Sequence, residues 1–222
     1  VVVSTNPLYT PRELRHQLMD SGAKSIVVFS AMLKTVREVI GDTCLESVVT
    51  SEIGDLLKFP KSAIFNRIAR RGQVVPKWDI AVDLIRFNDA IKRGQELTFE
   101  APTISPQDLA FLQHTGGTTG VSKGAMLSRS NLVANIRQVS TWFGNSKDEG
   151  EEVVITALPL YHIYALTVNC LVFFHHGGLY YLITDPRNTN RFVKEIRKIP
   201  FSGIGGVNTL FNRCWRIRDS AT

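Results

Sequence analysis

Residues Asp108–Asn131 read DLAFLQHTGGTTGVSKGAMLSRSN: an apolar run, then glycines and hydroxyls with one lysine, then a short extended piece that opens into a helix-like segment. Gly116, Gly117, Gly120 and Gly124 can take backbone conformations that other residues avoid, and they let main-chain N–H groups approach a ligand closely. Thr115, Thr118, Thr119 and Ser122 add hydroxyl donors, and Lys123 adds a mobile positive charge. These are the parts of a phosphate cradle. An apolar strand leading straight into such a loop, with a helix following, is the repeating unit of an α/β protein with parallel sheets.

Two common phosphate loops do not fit. The Walker pattern needs glycine immediately before the lysine and Ser or Thr after it, whereas Lys123 stands between Ser122 and Gly124. The dinucleotide fingerprint needs glycines spaced G-x-G-x-x-G, which Gly116-Gly117-Thr118-Thr119-Gly120 does not supply, and SGIGGVN near the C-terminal end fails the same test.

Outward from the loop the same rhythm recurs. In YTPRELRHQLMDSG (Tyr9–Gly22), Thr10 is placed to cap a helix, Pro11 to start it, Glu13 to close a capping box and Gly22 to stop it. KSIVVFS predicts a strand, AMLKTVREVIG a helix and LESVVTS a further strand, while Val1–Val3 looks like part of another. From about Glu52 to Pro106 the pattern becomes polar and irregular, with one helix expected over Ala81–Arg93. Downstream, RSNLVANIRQVSTWF has helical spacing at Leu132, Val133, Ile136, Val139 and Phe143. Then come EEVVITAL as a strand, an apolar helix from Ile163, GLYYLIT as a strand, a helix from Thr189 to Lys198, and FSGIGGV. The division expected is a first βα segment over 1–105, irregular near 52–94, and a phosphate-loop segment over 106–222. Both read as parts of one domain that continues beyond either end of the sequence.

Composition bounds the function classes. The chain has 222 residues, 44% hydrophobic and 21% charged, which suits a globular core and not a disordered or fibrous chain. A net charge of +6 favours anionic partners. A nucleic-acid binder is disfavoured, because the basic residues lack interleaved aromatics for base stacking. Three widely spread cysteines, Cys44, Cys170 and Cys214, argue against a disulfide framework and for a reducing cytoplasm. The apolar run Ile163–Phe174 is too short to span a bilayer.

TGGTTGVSKGAMLS (Thr115–Ser128) resembles, nearly position by position, the signature loop of the adenylate-forming superfamily. NPLYTPRELRHQLMDSGAK (Asn6–Lys24), LPLYHIYALTVNCL (Leu158–Leu171) and GVNTLFN (Gly206–Asn212) are similar to its bacterial long-chain fatty-acid–CoA ligase branch. The likeness covers nearly the whole chain and is weakest over Glu52–Gly94. The sequence departs from the usual pattern at Ser122, where proline or alanine is common, at Ser130, where histidine is common, and at His114, where an aromatic or hydroxyl residue is more usual.

The resemblance implies a truncated part of the large N-terminal domain of such a ligase. It implies two steps, in which a fatty-acid carboxylate and ATP give acyl-AMP and pyrophosphate, and the CoA thiol then displaces AMP. Thr115, Gly116, Gly117, Thr118, Thr119, Gly120 and Lys123 would hold the ATP phosphates, with Lys123 and His162 as the catalytic pair. His162 would lie beside the acyl carboxylate, with Gly205, Gly206 and Thr209 lining the acyl pocket; for the residues alone, a core histidine after Pro159 and a plain strand-to-helix turn explain the same positions. ATP, Mg2+ and CoA are the cofactors and co-substrates implied, with the magnesium ligand downstream of these residues. Also downstream would lie the adenine-stacking segment, the ribose-binding carboxylate and a C-terminal domain with the adenylation lysine. The implied partners are fatty acid, ATP and CoA, with no nucleic acid, a homodimer of the full-length enzyme, and a cytoplasmic location with peripheral contact at the inner membrane. A non-catalytic nucleotide-binding module and an adenylate-forming ligase for a different carboxylate are the alternatives.

Two further features are open to chemical readings. Cys170, His175 and His176 are metal-ligand types, but they sit at the end of an apolar helix followed by Gly177-Gly178, and no metal site is expected there. LLKFPKSAIFNRIARRG (Leu56–Gly72) mixes Leu56, Leu57, Phe59, Ile64, Phe65 and Ile68 with Lys58, Lys61, Arg67, Arg70 and Arg71. It is expected as a solvated helix packed on the core, with an anionic membrane surface as the second reading.

Overall fold

A computed structural model describes residues 1–71, 78–115, 122–143 and 150–219, without the side chains of 216–219. The chain forms two compact units, Val1–Ile104 with Phe111–Met126, and Ser105–Ala110 with Leu127–Thr222.

In the first unit β1 (Val2–Val3) is followed by α1 (Pro11–Ser21), β2 (Ser25–Phe29), α2 (Leu33–Val39), β3 (Ser47–Ser51), α3 (Lys61–Ala69), β4 (Asp83–Arg86) and α4 (Phe87–Gln95). Two strands, β5 (Leu109–Thr115) and β6 (Lys123–Ser128), then flank the glycine loop. β2, β3 and β4 form a parallel sheet with β3 in the centre, and β5 lies between β1 and β6 in another. This pairing explains why residues 111–126 fold with the N-terminal residues, whereas the sequence division at 105/106 groups them with the C-terminal part.

The start and stop signals of α1 work as their chemistry dictates. Thr10 Oγ1 accepts from the Glu13 N–H, Glu13 Oε2 accepts from the Thr10 N–H at 2.8 Å, and Gly22 adopts φ 60° at the C-terminal end. The buried face of α1, Leu14 and Leu18, packs with Val28, Leu33, Val36, Val39, Ile40, Leu45 and Val48 into one core. The stretch from Glu52 to Pro106 is more regular than its sequence suggests. It holds α3, β4 and α4, and the helix expected over Ala81–Arg93 is strand through Arg86 and helix only from Phe87. Four residues carry too little periodicity to declare a strand, and β4 exists because β3 offers it a parallel edge.

In the second unit α5 (Arg129–Phe143) precedes β7 (Val153–Thr156), a π-helix (Ala165–Val172), α6 (Phe173–His175), β8 (Leu179–Leu182), α7 (Thr189–Ile196), β9 (Gly203–Gly205) and α8 (Asn208–Asp219). The parallel sheet runs β8-β7-β9, with Thr156 opposite Gly205. Its core joins Ile155, Ala157, Ile183, Phe192 and Leu210, with Phe192 wholly buried. The apolar helix expected from Ile163 is wound as π over most of its length, a geometry that concentrates at functional sites. Thr167 Oγ1 donates to the Ile163 carbonyl at 2.8 Å and ties down its first turn. Among the described residues no helix is long and apolar enough to cross a membrane.

Candidate functional site

The first unit carries the neck of the glycine loop. Gly116, Gly117, Thr118, Thr119 and Gly120 lie outside the described residues, but both stems are described. Thr115 ends β5, and its carbonyl accepts from Ser122 Oγ at 2.8 Å, so the two stems are joined at their base. Lys123 is the first residue of β6, and its side chain is exposed.

Beneath the neck lies a polar cluster. His16 Nε2–H donates to the Ser122 carbonyl at 2.8 Å. His114 Nε2–H donates to Asp20 Oδ2 at 3.0 Å. A Cβ at Gly124 would stand 3.0 Å from Cε1 of His114, so glycine here makes room for the imidazole. The His114 side chain is 1% exposed, and its Nδ1 has no partner among the described residues.

The second unit carries the other candidates. His162 follows Pro159 in a turn closed by its own N–H donating to the Pro159 carbonyl at 3.0 Å. Its side chain is exposed, and Nδ1 accepts from the Tyr164 N–H at 3.4 Å. This imidazole is exposed, just ahead of the π-helix. Gly205 is buried on β9, Gly206 follows it, and Thr209 is exposed on α8. The space a side chain would occupy at Gly205 is filled by Asn169 of the π-helix, whose Oδ1 would stand 2.4 Å from a Cβ there. At Gly206 a Cβ would meet Phe211 Cζ at 3.0 Å and Leu210 Cδ2 at 3.1 Å. Both glycines therefore permit close packing of their neighbours.

Asn169 was not singled out by its sequence. It is 1% exposed, and neither side-chain amide atom has a partner among the described residues. Thr156 Oγ1, on the residue paired with Gly205, is buried and unpartnered in the same way. Buried polar groups without partners are expensive and mark places where water or ligand atoms complete the set. An Asn in an apolar helix gives no hint of this until β9 is known to lie against it. His16 and Asp20 were likewise missed; their i, i+4 spacing puts them on one face of α1, but not opposite any known partner.

Cys170 and His176, metal-ligand types at the end of the π-helix and just after α6, each have a neighbour of another kind. His176 Nε2 hydrogen-bonds Ser140 Oγ at 2.8 Å, and the Cys170 thiol stands by Tyr180, whose phenol it raises above the ordinary value. Among the described residues no group of three or more His, Cys, Asp or Glu could hold a metal ion.

The surface stretch Leu56–Arg71 departs from its expectation. No residue of α3 is buried, so the helix is not packed on the core. It is held by its polar face: Asn66 Oδ1 accepts from the Gly54 N–H at 2.7 Å, Asn66 Nδ2 donates to Asp55, and Arg70 makes two bonds of 2.8 Å to Glu52. Ile64, Phe65 and Ile68 lie on the opposite face, exposed, beside Leu56 and Phe59, which are 84% and 85% exposed.

Small parallel sheets flanked by helices, with a glycine- and hydroxyl-rich sequence between two strands, define the class as α/β. Residues 1–222 match the AMP-binding enzyme family, and the chain belongs to that family. It is 48% identical over 213 residues to a long-chain-fatty-acid–CoA ligase of Escherichia coli O6:H1, covering 96% of this chain and 38% of that protein. The chain thus spans under two fifths of the length of the curated relatives it matches. Among solved structures, a long-chain-fatty-acid–CoA ligase from Archaeoglobus fulgidus superposes with a TM-score of 0.70 at 23% identity, covering 98% of this chain and 37% of that one. The inhibitor-bound N-terminal domain of FACL13 from Mycobacterium tuberculosis gives 0.58 at 20%, covering 99% and 46%. These two likenesses carry the fold.

Proposed function

We propose that these residues are the phosphate-loop and acyl-pocket part of the N-terminal domain of a long-chain fatty-acid–CoA ligase. In that reaction a carboxylate oxygen of the fatty acid attacks the α-phosphorus of ATP, the bond to the β-phosphate oxygen breaks, and pyrophosphate leaves. The CoA sulfur then attacks the acyl carbonyl carbon, and AMP leaves. The chain needs no nucleophile of its own. Its task is to hold the charge that builds on the leaving pyrophosphate with fixed N–H, hydroxyl and ammonium donors.

The observation that carries this reading is the loop neck: Ser122 closes on Thr115 and leaves Lys123 exposed at the head of β6. Lys123 neutralises the outer phosphates, Thr115, Gly116, Gly117, Thr118, Thr119 and Gly120 supply the remaining donors, and His162 orients the attacking carboxylate. Gly205, Gly206 and Thr209 border the acyl chain. Magnesium accompanies ATP in this reading, with its protein ligand outside these residues, and the location is cytoplasmic, as a homodimer.

The test is fatty-acid-dependent ATP–pyrophosphate exchange by the full-length protein that carries this sequence. In it Lys123→Ala should lose on the order of 2–3 kcal/mol of transition-state stabilisation, the worth of a charge-assisted contact. Fatty-acid binding should be preserved. His162→Ala should slow the same step less, because water replaces part of an orienting group. Unchanged adenylate formation in Lys123→Ala would refute the phosphate assignment, and ATP binding with no exchange under any carboxylate would favour the non-catalytic module. Purified alone, the 222 residues should make no acyl-CoA.

A second reading, peripheral contact with an anionic membrane, is favoured by the outward apolar stripe of α3 with Lys58, Lys61, Arg67 and Arg71 around it. Co-sedimentation with vesicles rich in phosphatidylglycerol should fall when Phe65 and Ile68 are changed to aspartate, and equal sedimentation of the two proteins would count against it.

A further inference from the structure

We propose that α1 is the anchor post of the phosphate loop, and that His16 and Asp20 are positioning residues for ATP. The inference rests on the loop binding ATP phosphates and names what ties its two stems together.

His16 and Asp20 are one helical turn apart, so their side chains leave α1 on one face. His16 holds the strand leaving the loop, through its bond to the Ser122 carbonyl at 2.8 Å. Asp20 holds the strand entering it, through the His114 imidazole at 3.0 Å. Ser122 Oγ closes the ring by donating to the Thr115 carbonyl at 2.8 Å. Both stems are therefore tied to one helix and to each other. Gly124 completes the fit, since a side chain there would press on the His114 ring and come within 3.5 Å of Asp20 Oδ2. The departure from the common pattern at position 114 is thus matched by a carboxylate on a different element.

The post is firm. Its N-terminal end is held by the Thr10–Glu13 capping box, and Leu14 and Leu18 sit in the core. Between them Gln17 Nε2 donates to the Ser4 carbonyl at 3.0 Å and fixes the helix to the segment after β1.

Glycine-rich sequence carries more conformational freedom than other sequence, and ligand binding costs whatever part of it must be given up. Holding both stems in advance lowers that cost and keeps the donors in register with the phosphates. The ties touch no phosphate. They act through Ser122 and His114, so their loss should appear in ATP affinity and leave the fatty-acid and CoA sites alone.

The experiment uses the full-length protein and compares His16→Leu and Asp20→Ala with the conservative His16→Gln and Asp20→Asn. Glutamine keeps a side-chain N–H for the Ser122 carbonyl, and asparagine keeps an oxygen for His114. ATP affinity is read by calorimetry without fatty acid, and KM values for ATP, fatty acid and CoA by turnover. His16→Leu and Asp20→Ala should each weaken ATP binding about three- to tenfold, the worth of one hydrogen bond. The conservative pair should restore most of the loss, with fatty-acid and CoA KM values unchanged. Unchanged ATP affinity, equal losses in both pairs, or a parallel rise in all three KM values tracking a lowered Tm would each overturn the proposal. If His16→Leu does not fold, the solvent-facing Asp20 variants decide. A wild type that binds ATP without fatty-acid-dependent exchange removes the ligase reading and leaves the anchor to the calorimetry. A wild type that binds neither ATP nor pyrophosphate removes both.

Discussion

The loop neck in the first unit and the π-helix region in the second differ in how many of their polar groups find partners, although His114 Nδ1 at the neck is itself buried without one among the described residues. At the neck, His16, Asp20, His114 and Ser122 are joined by side-chain and backbone bonds of 2.8–3.0 Å. Under the π-helix, both amide atoms of Asn169 and the hydroxyl of Thr156 are buried without partners among the described residues, and the imidazole of His162 is exposed. A satisfied network rigidifies the segments it joins, and each buried polar group without a partner is costly. The neck is held by hydrogen bonds between residues distant in sequence, and the second region by Asn169 lying in the space beside Gly205.

Substitutions can break or sharpen this contrast. The largest expected effect is on the second unit's core: Phe192→Ala should cost about 3–5 kcal/mol, because a fully buried ring leaves a cavity that the packed sheet and α7 fill poorly. Denaturant melts followed at several wavelengths check it.

Next come the two close-packed glycines. Gly205→Ala would place a methyl on the Asn169 amide and should cost about 1–3 kcal/mol as overpacking. Gly124→Ala meets the edge of the His114 ring at 3.0 Å and should cost less, because Asp20 is solvent-facing and can follow the ring. A double-mutant cycle sharpens the point: Gly205→Ala should be better tolerated beside Asn169→Ala, with a coupling energy above about 0.5 kcal/mol. Additive costs would mean that Asn169 is not what Gly205 makes room for.

The smallest effect is at the start of α1. Thr10→Ala removes the cap and should cost about 1 kcal/mol. The Thr10 N–H and hydroxyl hold the Glu13 carboxyl below its ordinary value. That contribution is present above the unfolded-state pKa of Glu13 and is lost as pH falls through the lower folded-state value. The stability difference between wild type and Glu13→Gln, followed by melting from neutral to acid pH, should therefore shrink toward acid. A difference that grew toward acid would contradict the capping geometry.

Much of the scaffold was legible from short-range chemistry. Thr10, Pro11, Glu13 and Gly22 delimit α1 because caps are made by residues within one turn of each other, and the β-branched run before Phe29 is a strand for equally local reasons. The phosphate-loop signature was legible too, since its donors are contiguous. The short β4 and the outward apolar face of α3 were not, because each depends on a neighbour distant in sequence: the free edge of β3, and the polar hold of Asn66 on Gly54 and Asp55.

By itself the sequence determined the class of fold and the family, since those rest on residue types in fixed local order. Only the tertiary structure decided that His16 and Asp20 tie the stems of the glycine loop, that His162 is exposed, and that Asn169 fills the space beside Gly205. A hydrogen bond between residues about a hundred positions apart exists only once the chain has closed around its core, and no local pattern encodes where such a partner will stand.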